Sequence, residues 1–422
     1  MISTPGGRFP RARLQSPRHC VPAGLSARAI PAGVAAFRCN QRNLSMQRII
    51  DNEISLMIGF LIEISNYEID SIIKRSLKVG EMSMIRYPEP IGIGQTIGVT
   101  ATSSGVESEL HHLLRKAAHQ FEKRGYTVLL GETVWTNEKL TSAPKEIRVK
   151  EFLDMMTDDN ISAVIPPWGG HFLSEILPLI NYEELKPKWA MGYSDTSTLL
   201  LTITLLTGIA TVHGTNFVDL RSDEWDPVTS KFLEVLKASA GDTIIQHSSE
   251  KFQSEWQHFA TPDPYVFKLD METAWETIGN HPVRFEGRLL AGCIDTIRHL
   301  IGTSFGDVKT FREKYVAEDQ IVWALENCEM DASDFYRSIL QMHNAGWLDN
   351  TAGIIFGRTA AGIAQGGFSD VDAMERLAKL TGIPIVYNAD IGHVPPQMTF
   401  VNGAYAEIEV AEGKAVLKTK LI

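Results

Sequence analysis

Residues 188–206 read KWAMGYSDTSTLLLTITLL. Lys188 to Met191 is a short apolar run of strand character, and Thr196 to Leu206 is a strongly apolar helix. Between them, Gly192-Tyr193-Ser194-Asp195 must turn the chain sharply. Such a turn lifts its central side chain out of the sheet, and Gly192, two residues before Ser194, relieves the crowding. The helix that follows presents its first amides, including that of Asp195, where an oxyanion could be held. An ordinary helix cap is the alternative reading of the same residues.

Outward from this turn, strands and helices alternate. Thr96 to Ala101 predicts a strand and Glu107 to Arg124 a helix stopping at Gly125. A strand at Tyr126 to Leu130 follows, then a helix that Ser142 could cap with Pro144 at its start, and a strand at Ile161 to Ile165. A helix after Gly170 leads into the quoted stretch, and Ile209 to Val212 predicts one more strand. The regularity fades over 221–283, a polar segment holding Trp225, Trp256 and Trp275 with one helix at Pro227 to Ala238. A second alternating series predicts strands at Arg284 to Ala291, Ile321 to Leu325, Ala352 to Phe356 and Pro384 to Val386. Helices at Ile294 to Ile301, Ser333 to Ala345 and Val371 to Leu380 separate them, and a hairpin over 404–420 turns at Glu412-Gly413. The expected fold is α/β: a parallel-sheet domain over 84–220, a connecting insertion over 221–283 and a second α/β domain over 284–422.

Residues 1–83 stand apart. The first 50 contain eight Arg and no Lys, Asp or Glu, and show no periodicity that could bury a face. They read as a transit-like segment or as translation from a start placed too early; the second is favoured, with Met82 or Met84 as the first residue of the folded protein. Beyond residue 50 there are 32 basic against 51 acidic residues, a net −19. So acidic a body argues against nucleic-acid binding, which needs a positive face. No apolar run approaches the roughly 20 residues of a spanning helix, so no membrane partner is expected. Cys20, Cys39, Cys293 and Cys328 have neither disulfide-scaffold nor zinc-ligand spacing, and neither a metal nor a cofactor is expected.

A serine hydroxyl needs a neighbouring base. Of the twelve histidines, His393 lies in Ala389-Asp390-Ile391-Gly392-His393-Val394-Pro395-Pro396, a loop just after a strand whose Gly and Pro residues fix the backbone. His171, beside Gly169-Gly170, and His213, at a strand end, are its rivals. An imidazole acting as base needs a carboxylate to set its tautomer. Glu326 ends an apolar strand, a costly place for an unpartnered charge, with Glu329 as the nearby competitor. Finally, Gly169-Gly170 follows a strand where backbone amides could approach a ligand closely.

Gly169-Gly170, Ile176-Leu177-Pro178, Gly192-Tyr193-Ser194-Asp195, Glu286-Gly287-Arg288 with Gly302-Thr303, Leu325-Glu326 and Gly392-His393, in this order, resemble the signature of the LD-carboxypeptidase family of serine peptidases. The resemblance covers roughly residues 90–420. It implies Ser194 as nucleophile, His393 as general base and Glu326 as its orienting acid, with oxyanion donors at Asp195, Gly169 and Gly170. It also implies a cytoplasmic homodimer acting on a small peptide or peptidyl-nucleotide. One branch of the family trims cell-wall tetrapeptides; the other resembles microcin C immunity proteins, which cleave an acyl group from a nucleotide-like toxin. The long insertion and Gly-Tyr-Ser-Asp-Thr favour the second, with Trp168, Trp256 and Trp275 as candidate substrate contacts, although Trp256 and Trp275 could equally be packing residues.

Three departures bear on that choice. Ala291-Gly292-Cys293 stands where relatives have Gly-Gly-Asn, Trp168 where the cell-wall branch has Arg, and Asn327 where an acidic residue often follows the glutamate. The first two weigh against cell-wall substrates. A non-catalytic binding protein on the same scaffold is the rival from another class. An amidotransferase-like enzyme using Cys293 or Cys328 is less consistent with a serine at the turn.

Overall fold

The structure is a computed structural model that describes residues 83–254 and 261–422. The 1–83 extension, apart from its last residue, and Trp256 lie outside these residues. Five short strands carry the first half: β1 (Thr96–Val99), β2 (Thr127–Leu130), β3 (Ile161–Val164), β4 (Trp189–Gly192) and β5 (Thr211–His213). They pair in parallel in the order β5-β4-β3-β1-β2. Helices α1 (His111–Lys123) and α2 (Lys145–Thr157) link the first three, and α3 (Thr196–Thr207) links β4 to β5.

The turn at 188–206 is as its sequence predicts. Helix α3 has no polar face: Thr196 to Leu205 are all buried, and the helix contacts β4 and β5 on one side and the second sheet on the other. A helix apolar all round is stable only when enclosed. Its two layers are what enclose it.

The second half begins with the short α4 (Phe232–Leu236) and β6 (Thr243–His247), followed by β7 (Lys251–Phe252), β8 (Met271–Glu272) and β9 (Glu276–Thr277). The long β10 (Val283–Cys293) leads through α5 (Ile294–Ile297) and α6 (Val308–Phe311) to β11 (Ile321–Glu326). Then come α7 (Ala332–Asn344), β12 (Thr351–Gly357), α8 (Asp370–Thr381), β13 (Ile385–Ala389), β14 (Phe400–Asn402), β15 (Tyr405–Ala411) and β16 (Lys414–Lys420). Eight of these strands form one sheet, ordered β6-β16-β15-β10-β11-β12-β13-β9, with β10 to β13 parallel. Strands β7 and β8 pair only with each other, and β14 leaves the second sheet altogether. It pairs antiparallel with β5, Phe400 opposite His213, so a segment from the end of the chain closes the first sheet.

Several local expectations change. Pro144, not Ser142, occupies the N-cap of α2, because the Ser142 hydroxyl donates instead to the Ala101 carbonyl at 2.6 Å. The helix expected after Gly170 is three 3-10 turns, at Leu173–Glu175, Leu177–Leu179 and Tyr182–Glu184. Pro178 lacks the N–H an α-helix would use there and its ring clashes with the preceding turn. The helix expected at Pro227 to Ala238 shrinks to a 3-10 turn at Thr229–Lys231 and α4, because Asp226 accepts from the amides of Val228 and Thr229 and tightens the entry. Strand β6 lies inside the segment that reads as irregular, and its alternating burial fits an edge strand with one covered face.

The loop after β13 is held by a buried knot. Asp390, fully buried, accepts from Arg358 Nη2 (2.6 Å), Ser249 N (2.7 Å) and Oγ (2.6 Å), and Trp275 Nε1 (3.0 Å). Burial lowers the pKa of Arg358, and the Asp390 carboxylate opposes that shift. The knot ties the end of β12, the loop bearing His393 and the 221–283 segment to one carboxylate. Removing one partner of a buried pair leaves an uncompensated charge, so Asp390→Ala should destabilise by about 3–5 kcal/mol, read from urea unfolding. A loss under 1 kcal/mol would show that the loop is held by other means.

Candidate active site

The elbow is strained. Ser194 has φ +63°, a left-handed conformation that costs a non-glycine residue on the order of 1–3 kcal/mol. The turn continues directly into α3, with Ser197 N donating to the Ser194 carbonyl at 2.9 Å. Gly169 lies directly against the serine: a Cβ there would come within 2.7 Å of Ser194 Cβ and 2.9 Å of Asp195 N. No other residue fits between the two loops. Asp195 points inward, its carboxylate accepting from Ser103 Oγ (2.6 Å) and Leu173 N (2.9 Å). Burial raises the pKa of that carboxyl, while the two donors pull it down.

Glu326 ends β11 completely buried. Its Oε2 accepts from His393 Nδ1 at 2.7 Å and from the His393 amide at 2.9 Å. The backbone reaches this position because Gly392 has φ +98°, and a Cβ there would lie 2.0 Å from the same oxygen. The Gly-His pair thus wraps main chain and ring around one carboxylate. Burial works against the charge on both partners, but their mutual attraction and hydrogen bonds prevail. His393 is held well above its ordinary 6.5 and Glu326 below its ordinary 4.5.

The other oxygen, Oε1, faces His213 Nε2 at 3.9 Å, too far for a hydrogen bond. His213 is fully buried, and burial pushes it down to about 4 against the pull of Glu326, so it is neutral near pH 7. Its Nδ1 lies 3.3 Å from Ser197 Oγ on α3.

Two contacts bring Ser194 and His393 into one neighbourhood. The Tyr193 ring stands edge-on to the His393 ring, centroids 4.9 Å apart. Cys328, whose side chain bears on the imidazole, also lines the cleft of about 380 Å³ that Ser194 opens into, together with Gly170, His171, Cys293 and Glu329. Among the described residues no hydrogen bond joins the Ser194 hydroxyl to His393. His393 lines a second cleft, of about 500 Å³, with Phe252, Arg358 and Asn388.

The remaining candidates are distributed differently. Glu329 reaches the cleft but not the imidazole, its amide donating to Asp295 Oδ1 at 2.8 Å. Trp275 is corrected from substrate contact to packing residue: it is 2 % exposed, its N–H spent on Asp390. Trp168 is half-buried and donates to the Gly105 carbonyl at 3.1 Å. An aromatic of the insertion that does line the cleft beside His393 is Phe252, with Arg358 4.7 Å above its ring. No periodicity marks it. Arg288, of the Glu-Gly-Arg signature, pairs with Asp319 at 2.9 Å away from these clefts, which gives that motif a structural task.

A two-sheet α/β protein with a strained serine elbow near a buried carboxylate–imidazole pair has the architecture of a hydrolase. The chain belongs to the LD-carboxypeptidase family: the profile of the LD-carboxypeptidase N-terminal domain matches residues 97–214 and that of the C-terminal domain residues 286–408, and it is a hydrolase of the peptidase type. A Vibrio cholerae protein named as a carboxypeptidase is 25% identical over 334 residues, covering 76% of this chain and 95% of its own. A Bacillus subtilis protein named for murein peptide carboxypeptidase is 24% identical over 345 residues, covering 80% and 96%. The solved structure of the microcin C7 self-immunity protein MccF with glutamyl sulfamoyl guanosine superposes with a TM-score of 0.67 at 20% identity, covering 79% of this chain and 98% of that one. No helix among the described residues is long and apolar enough to cross a membrane.

The shifted pair makes stability depend on pH. With His393 raised, its contribution is fully present below pH 6.5 and fades as pH rises through the folded value. With Glu326 lowered, its contribution is present above pH 4.5 and fades as pH falls through the folded value. The melting temperature of Glu326→Gln should therefore fall furthest below that of the unsubstituted protein between pH 4.5 and 6.5. A gap that stays constant from pH 4 to 10 would refute the coupling.

Proposed function

We propose that this chain is a serine hydrolase in which Ser194 attacks an acyl carbon, His393 takes its proton and Glu326 stabilises the imidazolium. The observation that carries this reading is the 2.7 Å contact between His393 Nδ1 and a carboxylate with no exposed surface. With Nδ1 so engaged, Nε2 is the nitrogen left to exchange protons, as in the serine–histidine–acid arrangement. The amides of Asp195 and the Gly169-Gly170 pair are the donors for the oxyanion, since Gly169 lies against Ser194 and the Asp195 amide and Gly170 lines the same cleft. Collapse of the tetrahedral intermediate expels the leaving group with the proton from His393. Water then repeats the sequence on the acyl-enzyme.

The substrate we favour is a small acyl- or peptidyl-nucleotide, cleaved at its amide or acyl bond as in microcin immunity. Its support is the fold likeness to MccF structures carrying acyl sulfamoyl nucleosides, and Phe252, an aromatic face in the cleft beside His393. The cell-wall reading, an LD-carboxypeptidase acting on muropeptides, keeps the support of the murein peptide relative.

Ser194→Ala should abolish turnover of an aminoacyl-adenylate analogue with the melting temperature nearly unchanged. Full activity in that variant would sink the nucleophile assignment, and turnover of a muropeptide tetrapeptide alone would transfer the protein to the cell-wall branch. Because His393 must be neutral to accept a proton, the acid limb of kcat/KM should lie above pH 6.5. Glu326→Gln should lower kcat by roughly 10³ to 10⁴ and move that limb down, the ring having lost its counter-charge. Glu329→Gln, whose carboxylate lies off the imidazole, should change neither by more than about fivefold.

A further inference from the structure

Strands β10 and β11 run parallel in a register that sets Cys293 opposite Glu326 at their ends. His393 arrives over the same point from the loop after β13. One donor atom from each of Cys293, Glu326 and His393 lies within 4.8 Å of the other two. Zinc bound at about 2.0–2.3 Å in a tetrahedron holds its ligand atoms about 3.3–3.8 Å apart, so side-chain rotations of about an ångström would close this set. Sulfur, imidazole nitrogen and carboxylate oxygen are the donors such an ion selects, and a fourth position would face the Ser194 cleft that Cys293 lines. At present the Cys293 thiol is spent on a weak contact with Asp295 Oδ2, at 3.4 Å.

We propose that Cys293, Glu326 and His393 form a binding site for a thiophilic divalent cation of the zinc class, and that the bound ion switches the hydrolase off. Binding releases the thiol proton and the extra ring proton of His393 to solvent in exchange for metal–sulfur and metal–nitrogen bonds, with no change of oxidation state. The ion takes the carboxylate oxygen and ring nitrogen that proton transfer requires. The spacing of these residues in sequence gives no sign of the site, because its donors come from two strand ends and a loop far apart in the chain.

The inhibitory half rests on the hydrolase reading; the binding half does not. Titrating the full chain with Co²⁺ should give one equivalent of binding, with a thiolate-to-cobalt charge-transfer band that Zn²⁺ abolishes. Cys293→Ser should lose the band while Cys328→Ser keeps it, each variant checked for folding by circular dichroism. Zn²⁺ should inhibit turnover reversibly, EDTA restoring it, and the concentration giving half inhibition should rise at least tenfold in Cys293→Ser. Absence of the band in the unsubstituted protein, or its retention in Cys293→Ser, overturns the site even if no substrate is ever found. If Cys293→Ser does not fold, protection of Cys293 from alkylation by Zn²⁺ in the unsubstituted protein replaces it, and equal labelling with and without Zn²⁺ overturns the proposal. A band without inhibition overturns the switch.

Discussion

A carboxylate without solvent dictates the architecture around it. Glu326 sits at the end of a strand buried on all sides, and one of its oxygens is satisfied almost wholly by a single residue, which offers both its ring and its amide. An ionised carboxylate in such surroundings would be prohibitively costly without donors that are themselves fixed. The positive φ of Gly392, the Asp390 knot two residues upstream and the Arg358 side chain that closes it all follow from the need to hold His393 in one place. Remove the rigidity of that loop and the charge has no compensating partner.

The second sheet carries Glu326 and leads into the loop of His393, and the first leads into the turn of Ser194. Helix α3 lies between them, its first turn beginning at the elbow and Ser197 touching both His213 and the amide of Cys293. Sheet packing and site geometry are therefore one problem. Any shift of β10 relative to β4 is felt through a helix buried on every side, in which there is no slack to absorb it.

Much of this was legible in the sequence wherever the chain itself repeats a pattern. The elbow at 188–206, the apolar strand ending in Glu326 and the Gly-His loop each carry a local signature, and the family order of motifs joined them. What escaped was set by partners distant in sequence. Nothing in Phe400-Val401-Asn402 announces a strand of the first sheet, because three residues gain strand character only from the neighbour they pair with. Trp275 resembled a stacking surface and proved to be core, since its indole N–H answers to a carboxylate 115 residues away. His213 read as a rival base, and burial has made it a neutral neighbour of Glu326 instead.

The loan of β14 to the first sheet has a temporal side. As the chain leaves the ribosome, β5 emerges with its outer edge open, and its partner follows about 190 residues later. At roughly 5–20 residues per second, that edge waits on the order of ten to forty seconds, next to the strand that carries the serine. An unpaired edge is a template for stray pairing, so this interval is when a nascent chain is most exposed to chaperones or to aggregation. It also means that a chain halted just before residue 400 already has Ser194, Glu326 and every partner that anchors the His393 loop, while its first sheet still has an open edge.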